Sequence, residues 1–121
     1  MINLAIMIFK KEHMRIKMSM REANMLREVR EAVVKVGIQC CRVTNLRISK
    51  DWRYCDIYCI STLSDDDEMA VLTIESRSKC IRHAIKNRCG GHFFPTLRFH
   101  IDKEARRIER VEEILRNLPD T

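Results

Sequence analysis

The chain has 121 residues, of which 45% are hydrophobic, and a formal net charge of +6. That length fits one domain with a real core, and no apolar run reaches the ~18 residues of a membrane-crossing helix. The apolar start, residues 2–9, has no leading positive region and no small-residue cleavage site, so it does not read as a signal peptide.

In chain order, residues 1–18 read as a leader of uncertain structure. Ile2, Leu4, Ile6 and Ile8 alternate weakly, and residues 10–17 are basic and broken. Met14, Met18 and Met20 stand as alternative starts. Ser19-Met-Arg-Glu22 is a capping box. The helix behind it carries Leu26, Val29, Val33 and Val36 on one stripe, with Met25 and Ala32 beside it, and Gly37 ends it. Residues 42–49 predict a strand with Thr44, Leu46 and Ile48 on one face and Asn45 and Arg47 on the other. After a turn at Lys50-Asp51, residues 53–62 predict a second strand. Cys55, Ile57 and Cys59 face inward, with Tyr54, Asp56 and Tyr58 outward, and the two strands form an antiparallel hairpin.

Ser64-Asp-Asp-Asp-Glu68 lacks the spacing of a calcium loop and reads as a helix cap with first-turn acids. Residues 69–75 have strand propensity, yet the cap and the acids favour helix. Residues 79–89 form a basic helix. Ile81, Ala84 and Ile85 share one face with Arg88, which snorkels or bonds the last carbonyls. Lys79, His83 and Lys86 fall opposite, with Arg82 on the flank. Gly90-Gly91 stops this helix. Pro95 suits the entry to a strand over residues 96–101. A last helix, residues 103–118, carries Ile108, Val111, Leu115 and Leu118. The expected architecture is α+β, in the order helix-strand-strand-helix-helix-strand-helix. Its three-stranded sheet has helices packed on one face, in a single domain over residues 19–118.

Charge is unevenly spread. Residues 1–50 carry 11 Lys/Arg against 4 Asp/Glu, and residues 51–75 carry 1 against 7. Residues 76–100 carry 6 and no acid, and residues 101–121 carry 5 against 6. An acid-free stretch of that length points to a positive face for a polyanion, nucleic acid above all. A solvated helix face with counter-charges from elsewhere is the plainer alternative. Trp52 and the tyrosines can stack on bases, although packing on the hairpin turn accounts for Trp52 equally well. Phe93 and Phe94 read as core.

No catalytic motif is present. The histidines at 13, 83, 92 and 100 are scattered, and no metal ligand set emerges. Six cysteines, at 40, 41, 55, 59, 80 and 89, lack Cys-x-x-Cys spacing and read as buried free thiols in a reducing cytosol. A cysteine-based redox or metal-binding protein is the rival class.

Three stretches resemble the ribosome-binding factor A family. Residues 43–59, Val-Thr-Asn-Leu-Arg-Ile-Ser-Lys-Asp-Trp-Arg-Tyr-Cys-Asp-Ile-Tyr-Cys, resemble its first hairpin. Ile81-Arg82 is followed at family-like distance by Pro95-x-Leu97-x-Phe99. Asp102 precedes a closing amphipathic helix through Ile108, Ile114 and Leu115. The resemblance implies a type II KH-like fold. It also implies a non-enzymatic, cytoplasmic and monomeric factor with no cofactor. Such a factor binds 16S rRNA on the small ribosomal subunit in late 30S maturation and 5′-end processing, with a ribosome-associated GTPase aiding release in some bacteria. A KH-like module for another structured or single-stranded RNA is the alternative. The family's Ala-x-Gly kink falls at Arg77-Ser78-Lys79, where the glycine is missing and two cations stand. Arg77, Lys79, Arg82 and Lys86 are the expected RNA-binding residues, with Arg21 and Arg47 as weaker candidates.

Overall fold

The computed structural model describes residues 18–89 and 94–119, with the backbone alone at 87–89. The leader pattern, Gly90-Gly91, His13, His92, Phe93 and the side chains of Arg88 and Cys89 lie outside the described residues. The described residues divide into two units, residues 18–102 and the segment from residue 103 onward.

Helix α1 (Met20–Val36) begins with the capping box. Ser19 Oγ accepts the Glu22 amide, and Glu22 Oε1 accepts the Ser19 amide, each at 3.1 Å. Its inner stripe of Leu26, Val29, Ala32 and Val33 is buried. Gly37 ends it in the left-handed region at φ 90°, returning its amide to the Val33 and Val34 carbonyls. Strands β1 (Cys41–Ile48) and β2 (Tyr54–Ser61) then pair antiparallel. Helix α2 (Asp67–Ser76), helix α3 (Ser78–Cys89) and strand β3 (Thr96–Ile101) follow. β3 pairs parallel with β2, so the sheet order is β1-β2-β3 and the sheet is mixed.

α1, α2 and α3 pack on one face of this sheet. The core joins Leu26, Val29 and Val33 to Val43, Leu46, Cys55, Ile57 and Cys59, and to Ile74, Ile81, Ile85 and Phe99. Val43 and Leu46, three apart, are both buried because Thr44 is a bulge between the pairs Val43–Cys59 and Asn45–Tyr58. Thr44 is therefore not an inward residue, against the simple alternation. Its hydroxyl lies within hydrogen-bond reach of the Asp102 carboxylate and, at 3.2 Å, of the Tyr58 carbonyl, and its one proton serves these two acceptors.

Residues 69–75 are helical, as the cap argues. Asp66 Oδ1 accepts the Met69 amide at 3.1 Å. Asp67 is buried, and its Oδ1 takes the Ser61 amide at 2.8 Å, tying α2 to the end of β2. Two of the acids thus have structural work, and among the described residues no His/Cys/Asp/Glu group could hold a metal ion.

In the other unit, helix α4 (Lys103–Arg116) stops two residues earlier than expected. Leu118 directly precedes Pro119, a position that disfavours helical backbone, and it is exposed rather than part of the stripe. No described helix is long and apolar enough to cross a membrane.

Candidate nucleic-acid interface

Helix α3 is oriented by its two isoleucines. Ile81 and Ile85 are fully buried, which turns the opposite side of the helix outward. Lys79, Arg82, His83 and Lys86 are all exposed on that side. The helix holds no acid, so its cations meet no carboxylate within their own element. The Arg82 guanidinium lies 5.8 Å from the Phe94 ring, which holds it at the flank beside the entry to β3.

α2 and α3 are joined by one residue. Arg77 sits there at φ −106°, ψ 15°. Negative φ suits any L-residue, so this bend needs no glycine, and Lys79, where the resemblance would put one, lies inside α3. Arg77 also reaches sideways: its Nη2 donates to the Val36 carbonyl at 3.3 Å. It meets α1 at the end where carbonyls lack partners and the dipole is negative. Arg77 thus contributes to the architecture of the junction as well as to its charge.

The two weaker candidates lie elsewhere. Arg21 stands at the start of α1, its guanidinium 4.7 Å from the centre of the Trp52 ring. Trp52 holds φ 62° in the hairpin turn, the only described non-glycine residue in the left-handed region. One face of that indole is therefore already covered. Arg21 and Val36 are separated by nearly the whole of α1, about 22 Å at 1.5 Å per residue. Arg21 and Arg77 therefore belong to opposite ends of the domain. Arg47 lies on the outer face of the sheet, paired across β1 and β2 with Asp56. The six expected residues thus occupy three places. Lys79, Arg82 and Lys86 share a helix face with Arg77 at its root, Arg21 flanks the hairpin, and Arg47 faces away from the helices.

The outer sheet face also holds residues that no local pattern assembles. Arg98 grips Asp56 through two parallel bonds, Nε–Oδ1 at 2.8 Å and Nη2–Oδ2 at 3.0 Å, while His100 Nε2 lies 2.8 Å from the same Oδ1. Burial raises the Asp56 carboxyl, but the Arg98 and His100 hydrogen bonds outweigh it and hold the group below its usual range. Alternation along each strand did mark Tyr54, Asp56 and Tyr58 as outward. The parallel pairing that joins them to Arg98 and His100 is not written in either strand.

The cysteines divide by depth. Cys41, Cys55 and Cys59 are buried free thiols, Cys40 is half-buried, and Cys80 is exposed. Cys80 departs from the expectation of burial because Ile81 and Ile85 occupy the inner stripe of α3. Burial, with Asp56 and Glu22 nearby, pushes the Cys55 thiol up to about 12. The hydrogen bond with Cys41, then burial, push Cys59 up as well.

The sequence profile described as ribosome-binding factor A matches residues 12–115. The chain is 30% identical over 74 residues to a ribosome-binding factor A of Bradyrhizobium diazoefficiens strain USDA 110, covering 61% of this chain and 51% of that protein. It is 26% identical over 93 residues to that of Stenotrophomonas maltophilia strain K279a, covering 77% and 73%. The chain spans about half the length of the Bradyrhizobium and Rhodopseudomonas palustris relatives it matches. A crystal structure of ribosome-binding factor A from Thermus thermophilus superposes with a TM-score of 0.58 at 20% identity, over 66% of this chain and 90% of that one. That likeness shows the shared fold. With the profile match running from residue 12 to residue 115, the chain belongs to the ribosome-binding factor A family.

Proposed function

We propose that this protein is a non-enzymatic assembly factor that binds the RNA of the small ribosomal subunit late in maturation, while the 5′ end of that RNA is processed. It acts in the cytoplasm, without a cofactor, and leaves before translation, with a ribosome-associated GTPase as a release partner. The observation that carries this reading is the outer face of α3. In a chain of this family, Lys79, Arg82 and Lys86 are exposed together on an acid-free helix whose other side is locked into the core. Such cations neutralise phosphates and set register and orientation, and they leave base identity unread.

The test is the double charge reversal Lys79→Glu and Lys86→Glu. Both side chains are exposed, so thermal stability should change by about 0.5 kcal/mol or less. Affinity for immature small subunits should fall steeply, and the slope of log affinity against log salt should shrink by about one per lost phosphate contact. Wild-type affinity with an unchanged slope would remove α3 from the interface.

A further inference from the structure

The sheet face turned away from α1, α2 and α3 is neither apolar nor randomly charged. Its central strand, β2, presents Tyr54, Asp56 and Tyr58. β3 places Thr96, Arg98 and His100 directly beside them, in the register Tyr54–Thr96, Asp56–Arg98 and Tyr58–His100. β1 adds Asn45 opposite Tyr58 and Arg47 opposite Asp56.

Two planar stacks stand on this face. The Arg98 guanidinium lies over the Tyr54 ring at 4.1 Å. The rings of Tyr58 and His100 are 5.2 Å apart and inclined by 30°. Between them, Asp56 holds Arg98 by the two-pronged pair and His100 by one contact. A register clamp between β2 and β3 needs only the ion pair. Here the same carboxylate fixes the plane of a guanidinium and the edge of an imidazole, so both planar groups are held in place before a ligand arrives. Tyr54 and Tyr58 are four residues apart on one strand, about 13 Å. The surface remains open: Tyr54 is 39% exposed, and the Arg98 and His100 side chains are 47% and 42% exposed.

We infer that this outer face is a second RNA-contacting surface, on which unpaired bases of a single strand stack against the Tyr54–Arg98 and Tyr58–His100 pairs. Charge favours a polyanion, since Arg47 and Arg98 stand against the one carboxylate of these rows. Flat rings and guanidinium planes suit splayed bases, which single strands offer and duplexes do not. The inference rests on the reading of the protein as an RNA binder and assigns it a different face. α3 engages phosphates of structured RNA, whereas the sheet engages bases.

The experiment uses the full chain and two arms. In the first, a fluorescein-labelled 12-nucleotide single strand of mixed sequence, free or annealed to its complement, is titrated with wild type, Tyr54→Ala and Tyr58→Ala. Each substitution should weaken single-strand binding by about tenfold and leave duplex binding within twofold. In the second, a benzophenone amino acid at exposed Thr96 is photo-activated on the small subunit. Cross-links to RNA uphold the inference, and cross-links to ribosomal protein alone overturn it. Equal single-strand affinity for wild type and both variants overturns it too. If a variant unfolds, the Thr96 arm and a 4-thiouridine single strand cross-linked to unmutated protein still decide, by whether the adduct peptides contain Tyr54, Tyr58 or His100. The single-strand arm can fail while the Lys79 and Lys86 reversal still abolishes subunit binding, so the two readings fall separately.

Discussion

Glu22 accepts the Ile48 amide through Oε2 at 3.0 Å while its Oε1 closes the capping box with Ser19. One carboxylate therefore starts α1 and pins the end of β1. Partial burial raises this carboxyl, and the Ile48 and Ser19 amides overcome that and hold it below its usual range. Replacing it with alanine strips acceptors from two amides. We expect Glu22→Ala to cost about 1–3 kcal/mol and Glu22→Gln, which keeps one acceptor, to cost less. Urea unfolding of the three proteins checks the order, and equal midpoints would refute the double role.

Asp56 predicts an acid limb in stability. Its carboxyl is depressed in the fold and returns to about 3.9 when the chain unfolds. The stability it adds is complete above that value and drains away as pH falls through the lower folded value. Glu22 behaves likewise, from an unfolded value of about 4.3. The carboxylate contribution should therefore stay constant from about pH 7 to pH 5 and decline below about pH 4. Asp56→Asn should lower stability at neutral pH and flatten that decline. Unfolding midpoints measured between pH 3 and pH 7 test it, and parallel curves for wild type and variant would count against the network.

The thiols should react in order of depth. Cys80 should be alkylated by iodoacetamide in the native protein at pH 7.5, while Cys55 and Cys59 should stay unmodified until denaturant is added. Peptide mass spectrometry over a time course reads this directly. Modification of Cys55 in step with Cys80 would show that the sheet opens readily.

Gly37 should resist substitution for a backbone reason alone. A Cβ at this position would meet nothing within 4 Å, yet φ is +90°. Gly37→Ala should cost about 1 kcal/mol, and Gly37→Asn less, since Asn tolerates the left-handed region. Thermal melts distinguish strain from clash by that ranking. A neutral alanine would mean that the helix end shifts freely.

What could be read in advance follows the range of the forces involved. The capping box, the Gly37 stop and the stripes of α1 and α3 are local signals, and they appear where the spacing places them. α2 was ambiguous because Met69 and Leu72 are exposed apolar residues, which blur a helical stripe. Only the cap and the acids at its start favour helix there. The Thr44 bulge defeats alternation, and the Asp102 carboxylate that the Thr44 hydroxyl meets lies fifty-eight positions away. Arg77 was legible as a cation but not as a partner of Val36, since nothing in the sequence says that the end of α1 lies within its reach. The Asp56–Arg98–His100 cluster was out of reach for the same reason.

The parallel pairing of β2 with β3 has a consequence for how the molecule is made. A hairpin can close as soon as its second strand is synthesised, but a parallel partner must wait for the whole crossover, here both α2 and α3. The sheet is therefore finished only after residue 101 has emerged from the synthesising ribosome. Until then α2 lacks the edge strand it packs against, and Asp56 lacks both Arg98 and His100. Completion of the outer sheet face thus waits on one late, non-local step, of the kind that slows folding. Variants at Phe99 should be synthesised normally and yet be the ones most often trapped half-made.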